Sequence, residues 1–389
     1  MLPTRTFLIP KVLITGSGSS ETVGEESKKL GVKKALIVTD RVMIKLGVLE
    51  GLKKALEQSK VQFVIYDAVA TEPTVDYVME GLKVFKDNGC DFLLAVGGGS
   101  PLDTAKAIAI MVTNPGSIED YKGLNKIPQK GAPVIAIPTT GGTGSEATVY
   151  TIITDTKTNV KMLISSPFVM PTVAIVDPLL TLSSPRGLTA AVGIDALTHA
   201  IEAYVSLKSQ PMSDIFCLSA IELISGNLGQ AWANGNNVEA REKTMLGALQ
   251  AGIAFSNASV ALVHGMSRPI GAYFHVAHGA SNAALLGVVT EFSLIGNPIR
   301  YAHIAKAMGE KIAGLADLEA AQLAAKAIKR LIKDVKIPSL KELGVNKEKL
   351  DELAPQMAED AIASGSPGNN PRQATKEEII ELYKIAYES

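Results

Sequence analysis

The sequence predicts two different halves: an α/β amino-terminal domain spanning residues 1–184 and an all-helical domain spanning residues 185–389. Three observations predict this division. KKALIVTD, VQFVIYD, DFLLAVGGG and APVIAIPTT are continuous apolar runs that end in polar or Gly-rich turns, the pattern of strands buried on both faces. Helical stretches such as YVMEGLKVFKDNG alternate with them, which implies a parallel sheet with helices on both sides. From Ser184 onward strand signals nearly vanish, and alanine-rich helical periodicity takes over, as in LEAAQLAAKAIKRLIKDV.

The elements follow in order. The first strand leads through GSGSSE at Gly16, which begins like GxGxxG but has Glu21 at its sixth position and reads as a turn between the first strand and the first helix. The four buried runs come next. TVYTIITD, VKMLIS and TVAIVDP are expected to form a second group of strands. SSPRGL marks the domain boundary, with Ser or Pro starting a helix. Near residue 365, SGSPGNNPRQA either covers a site or joins two helices, and joining is the favoured reading.

Composition narrows the function classes. A chain of 389 residues suits two or three domains, and 47% hydrophobic with 20% charged residues supports a large core rather than disorder. The net charge is -1, and the basic residues are dispersed beside acids, as in EESKK and KEEIIELYK. That reads as solvated helix faces, so no nucleic-acid partner is expected. Cys90 and Cys217 make no disulfide framework; Cys90, in NGCDFLLAV, reads as a small core residue, and a reducing, cytoplasmic setting is expected. The amino-terminal apolar stretch carries no cleavage site or helical signal core, and no run approaches about 18 uninterrupted apolar residues, so no membrane span is expected.

Ligands of a parallel sheet bind at the carboxyl ends of its strands, which singles out Asp40, Gly97 to Ser100, and Thr139 to Ser145. VGGGSPLDTAKAIA is the strongest phosphate signal: a buried strand feeds three glycines, and a helix starts at Ser100 with Pro101 in its first turn. Glycines let backbone approach a pyrophosphate, and the helix terminus offers free N–H groups and partial positive charge. A tight turn without a ligand is the alternative for this loop taken alone. Asp103 either caps that helix or bonds a cofactor hydroxyl. IPTTGGTGSEAT offers a second loop of small donors. Asp40 ends ALIVTD, where an acid accepts both ribose hydroxyls and repels a 2′-phosphate, favouring NAD; it also suits a helix N-cap, and the two roles can coexist.

All five histidines fall in the second half, four of them between His199 and His278, and the amino-terminal half has none. Asp195 and His199, in GIDALTHAIEAY, are four residues apart and share a helix face, on a helix expected to start near Ala190. His264 and His278 follow in HGMSRPIGAYFHVAHG. One carboxylate with two or three imidazoles makes a site for a divalent transition metal. His275 competes with His278 for the fourth place; His278, at an apparent helix start before Gly279, is preferred. His303 reads as an ordinary helix residue. A cofactor half and a metal half together suggest a metal-dependent redox enzyme.

GGGSPLDTAKAIA, PTTGGTGSEAT, GIDALTHAIEAYVS and the paired HG block resemble the iron-dependent (group III) alcohol dehydrogenases, in the family's order and over essentially the whole chain. The resemblance implies a Rossmann-like dinucleotide-binding domain followed by a helical metal-binding domain, the dehydroquinate synthase-like architecture. It implies Fe2+, or Zn2+, on Asp195, His199, His264 and His278. It implies NAD contacts from Asp40, Gly98, Gly99, Ser100, Asp103, Thr139, Thr140, Thr143, Ser145, Lys161 and Leu180. The implied activity is hydride transfer between the nicotinamide and the carbon of a small alcohol or aldehyde, in a homodimer or larger homo-oligomer, with His264, His278, His275 and Arg268 at the catalytic centre.

Two departures from the family stand out. Many members carry a second histidine four residues after the first ligand of the HG block; here Arg268 stands there. Arginine stays charged near neutral pH and relays no proton, but it can bind an anionic or highly polar substrate group, with His275 taking over the relay. Ala277 replaces a usual proline before the last ligand. The resemblance extends more weakly to glycerol dehydrogenases and to dehydroquinate synthases, which are lyases on the same fold, so a related polyol or hydroxy-acid dehydrogenase or such a lyase is the alternative activity. A metal-bound sensor without turnover would show a degraded ligand set or a broken glycine loop, and neither is seen.

Overall fold

The computed structural model describes residues 4–158 and 160–388. They divide into two compact units, Leu8–Ser183 and Ser184–Ser389, and the segment before Leu8 belongs with the second.

The first unit carries strands β1 (Val12–Thr15), β2 (Lys34–Val38), β3 (Gln62–Tyr66), β4 (Phe92–Gly97), β5 (Gly123–Leu124), β6 (Val134–Pro138), β7 (Tyr150–Asp155), β8 (Val160–Ser165) and β9 (Val173–Val176). Its helices are α1 (Val23–Leu30), α2 (Arg41–Lys45), α3 (Leu49–Gln58), α4 (Val75–Asp87) and α5 (Gly99–Thr113). Six strands form one parallel sheet in the order β1-β9-β6-β4-β2-β3.

The period-2 geometry of a strand explains why the central runs are apolar at every position. Leu36, Val38, Leu93, Ala95, Val134 and Ala136 face one core with residues of α4 and α5. Ala35, Ile37, Phe92, Leu94, Ile135 and Ile137 face the opposite core with residues of α1 and α3. After β2 the chain moves outward to β3, then returns to lay β4 on the other side of β2. The loops after β2 and β4 therefore flank a topological switch point.

The expected second strand group is corrected in part. β7 and β8 form an antiparallel hairpin that β5 extends into a separate three-stranded sheet, but TVAIVDP supplies β9, which pairs with β1 and β6 in the main sheet. Gly16 to Gly18 do form a turn between β1 and the first helical residues, clamped by Asp177, which accepts from the backbone N–H groups of Gly18 and Ser20 and from the Ser20 hydroxyl.

The second unit is helical: α6 (Arg186–Val205), α7 (Pro211–Ala233), α8 (Val238–Ala258), α9 (Leu262–Phe274), α10 (His278–Ser293), α11 (Pro298–Ala307), α12 (Asp317–Asp334), α13 (Lys347–Ala363) and α14 (Lys376–Glu388). α6 begins four residues before the expected Ala190, directly after Pro185. From Gly193 to Val205 every residue of α6 is buried, so this helix is the centre of the unit. Arg5 and Thr6 bond Ser209 and Gln210, and Phe7 stacks on Phe216, so the described residues before Leu8 pack with these helices. His278–Gly296 is long and apolar enough to cross a membrane by length and composition, and most of it is buried inside the unit's core.

Candidate active site

α6 projects Asp195 and His199 from one face, one turn apart. His264 lies in the first turn of α9 and His278 is the first residue of α10. One ligand atom from each of the four lies within 4.8 Å of the others, three of the residues being buried and His278 exposed. The Nε2 atoms of His264 and His278 each stand 3.8 Å from Asp195 Oδ1. Ligands held at about 2.1 Å from one cation stand at most about 4.2 Å apart, so a small contraction of this cluster seats an ion.

Two residues that pattern reading passed over support the ligands. Glu202 lies one turn beyond His199 on α6, fully buried. Its Oε2 lies 2.5 Å from His264 Nδ1, and it accepts from the backbone N–H of Val263 at 2.5 Å and of His264 at 3.4 Å. One carboxylate thus caps the start of α9 and fixes its histidine, whose Nε2 is buried without a hydrogen-bond partner among the described residues. Asn282, one turn after His278, donates to Asp195 Oδ1 at 2.7 Å and lies 3.1 Å from His278 Nε2. The available signal was position: Glu202 is seven residues from Asp195 in an apolar run, and Asn282 is four from His278.

Packing explains the HG pattern at the last ligand. A Cβ on Gly279 would come within 2.9 Å of the Ala191 carbonyl and 3.5 Å of Asp195 Cβ, so only glycine lets α10 start this close to α6. The loop of residues 364–375 joins α13 and α14 and is well packed in its first half: Pro367 rests against Gly265, and Asn369 donates to Val260 O at 2.9 Å and Ser259 Oγ at 3.1 Å. Phe255 stacks on His199 at 4.3 Å between ring centroids. Tyr273 instead bonds Asp360, and Phe274 lies under Lys349, so both brace α9 against α13 and its flank.

Burial pushes His199 and His264 down to about 3, so both rings are neutral, the form that ligates metal. Burial pushes Asp195 up, but the histidines around it, as they take up protons in acid, and the Asn282 amide donor hold the carboxyl below its ordinary value. Burial raises Glu202 to about 7 against the opposing pull of the α9 backbone N–H groups. An oxygen and imidazole donor set with an unpartnered buried nitrogen is what a divalent cation completes. Arg268, one turn beyond His264, is largely buried; burial lowers its guanidinium and Glu202 opposes that. His275 caps the end of α9 in the left-handed region (φ 57), exposed and outside the ligand cluster. His303, on α11, bonds Tyr204 near the end of α6 and is not among the four clustered ligands.

In the first unit the sequence-marked residues follow the carboxyl ends of the parallel strands. Asp40 follows β2, and its Oδ1 accepts from Val42 N at 2.8 Å and Met43 N at 3.0 Å, capping α2. Gly98 caps α5, and Gly99 lies so near Thr143 that a Cβ would meet its methyl at 2.9 Å. Thr140 flanks Gly98, and Thr139 N donates to Gly97 O at 2.9 Å, tying the β4 and β6 loops together. Ser100 is in the first turn of α5. Leu180 follows β9 and packs on the core beneath the sheet, whereas Lys161 lies on β8, ion-paired with Glu72 at 2.6 Å.

Asp103 does not cap α5. Its Oδ1 accepts from Ser145 Oγ at 2.5 Å and its Oδ2 from Ile152 N at 2.9 Å. Beside it Lys106, a fully buried lysine not singled out by pattern, donates to Ser145 O and Oγ at 2.9 Å and to Thr148 Oγ1 at 3.0 Å. This braces the loop after β6 against α5. The hydroxyls of Thr39 and Thr139, at the ends of β2 and β6, are buried and unpartnered among the described residues. A glycine cradle at a helix terminus, a partly exposed carboxylate and unpaired hydroxyls along one sheet edge suit a dinucleotide.

Metal chemistry on one unit and a dinucleotide site on the other define the class of metal-dependent, nicotinamide-linked oxidoreductases. Comparison with known proteins narrows it. Residues 10–178 match the family model "Iron-containing alcohol dehydrogenase", and residues 189–387 match "Fe-containing alcohol dehydrogenase family, C-terminal". The chain is 42% identical over 384 residues to 1,3-propanediol dehydrogenase of Citrobacter freundii, covering 98% of each. It is 41% identical over 381 residues to NAD-dependent methanol dehydrogenase of Bacillus methanolicus, covering 98% of this chain and 99% of that one. A crystal structure of 1,3-propanediol oxidoreductase superposes with a TM-score of 0.96 at 41% identity, over 99% of this chain and 100% of that one. The chain belongs to the iron-containing alcohol dehydrogenase family, and the dehydroquinate-synthase-like lyase reading is set aside.

Proposed function

We propose that Asp195, His199, His264 and His278 hold one Fe2+ or Zn2+ ion in an NAD-linked alcohol dehydrogenase and aldehyde reductase. The observation that carries this is the convergence of the four ligand atoms, with Glu202 behind His264. When bound, the cation would supply Lewis acidity toward the substrate oxygen and the nicotinamide would supply the hydride chemistry at the carbinol carbon.

The chain's own residues do the rest. Glu202 holds the Nδ1 proton of His264 and so leaves the Nε2 lone pair free for the cation. Asp195 offsets part of the cation's charge, and Asn282 keeps its Oδ1 in place. Phe255 shields one face of His199 from water. The exposed side at His278 is where a small alcohol or aldehyde enters, and exposed His275 passes the proton to solvent. Asp40 takes the ribose hydroxyls with Oδ2, since Oδ1 is spent on the α2 cap. Gly98, Gly99 and Ser100 take the pyrophosphate at the α5 terminus. Thr139, Thr140, Thr143, Ser145, Lys161 and Leu180 complete the cofactor contacts, Asp103 acting through Ser145.

The two free, buried cysteines support a reducing, cytoplasmic setting, and we read the protein as a homodimer or larger assembly, checked by light scattering. The test of function is His264→Ala. Metal content and NADH formation from short alcohols should fall to background while NAD binding persists. Full turnover in metal-free protein would sink the scheme.

A further inference from the structure

We propose that Arg268 binds an anionic group on the substrate, so that the preferred substrates are short alcohols and aldehydes carrying a carboxylate or similar oxyanion. This rests on the dehydrogenase reading above and names the substrate class of that site.

The chain has eight arginines by its sequence, and seven of them are engaged among the described residues. Arg5 bonds Ser209, Arg186 bonds Ala233, Arg241 bonds Gly235, Thr189 and Ser184, and Arg300 bonds Tyr204 and Asp214. Arg330 and Arg372 pair with Glu310 and Glu378, and Arg41 stands 3.8 Å from Asp67. Arg268 alone has no acceptor and no ion pair among those residues, although it is largely buried. A desolvated, unpaired guanidinium is costly, and proteins keep one only where something completes it.

Arg268 follows His264 by four residues on α9 and so shares the ligand's helix face. Its charge reaches both His264 and Glu202. Glu202 makes no hydrogen bond or ion pair with it, and its carboxylate accepts instead from Val263 N, His264 N and His264 Nδ1. A substrate that reaches the metal ligands also lies within reach of Arg268, one turn along the same helix face, and can complete it. Side chains one helical turn apart are about 6 Å apart at Cβ, so the anion and the reacting carbon belong to a chain of about three to five carbons. The planar fork of donors matches a carboxylate with two parallel bonds.

The experiment uses the full-length, metal-loaded enzyme with NADH and matched aldehydes, butanal against 4-oxobutanoate. The wild type should favour 4-oxobutanoate in kcat/KM, and Arg268→Gln should lower that ratio by about 10- to 100-fold, mainly through KM. Arg268→Lys should restore part of it. Calorimetric titration of succinate into the enzyme with NAD should show binding to the wild type and none to Arg268→Gln. A wild type that reduces butanal but neglects 4-oxobutanoate overturns the inference and leaves the dehydrogenase reading standing. An Arg268→Gln variant that loses both substrates equally, with succinate binding intact, also overturns it. Metal-loaded enzyme that oxidises NADH with neither aldehyde overturns the dehydrogenase reading itself.

Discussion

The carboxylate of Glu202 and the Nδ1 of His264 lie 2.5 Å apart, both side chains fully buried. Because the same carboxylate caps α9, the helix start and the ligand ring are set by one residue. A carboxylate behind a ligand histidine fixes its tautomer and raises its basicity. Glu202→Gln keeps an acceptor for the α9 N–H groups but removes the charge. We expect it to weaken metal affinity by about 10- to 100-fold, measured by chelator competition, with NAD affinity unchanged. Unaltered metal affinity would remove Glu202 from the scheme.

Asp40 divides its labour between a helix cap through Oδ1 and, in our proposal, the cofactor ribose. Asp40→Gly separates the two, since glycine at an N-cap costs only a few tenths of a kcal/mol. Removing the negative charge from the end of β2 should raise kcat/KM for NADP roughly 10-fold while thermal stability holds. The coenzyme preference is read by comparing initial rates with NAD and NADP. If it stays put, the acid is a cap and nothing more.

Local signals carried much of this molecule. Continuous apolar runs such as FLLAVG mark β4 because both of its faces are covered, and that covering needs no knowledge of neighbours. Asp195 and His199 are legible because helical periodicity alone places them together. The place of β9 in the main sheet was not legible: sheet order is set by long-range pairing, and TVAIVDP carries no mark of its partners β1 and β6. Glu202, Asn282 and Lys106 escaped for another reason. A polar residue in a helical run reads as an exposed face, and only the assembled core shows that α6 and α5 have almost none there. Arg268 was legible as a departure, but its lack of a partner required the seven other arginines to be seen at work.

Glu146 is buried next to Ser145, and its Oε2 has no hydrogen-bond partner among the described residues. Burial raises its carboxyl to about 7, opposed by its own backbone N–H and by Lys106. The folded state therefore holds the Glu146 proton more tightly than the unfolded chain, whose carboxyl titrates near 4.5. The stability linked to that proton is complete below about 4.5 and is lost as pH rises through about 7. Glutamine keeps the shape and has no proton to lose. Glu146→Gln should match the wild type in melting temperature at pH 5 within a small offset, then gain on it by pH 8. The gain is at most about 3 kcal/mol, the free-energy equivalent of a carboxyl moved from 4.5 to about 7. Melting curves of both proteins at about pH 5, 6, 7 and 8 decide the matter. Parallel pH profiles would mean that Glu146 titrates alike in the folded and unfolded chains, and that the Lys106 network already neutralises it.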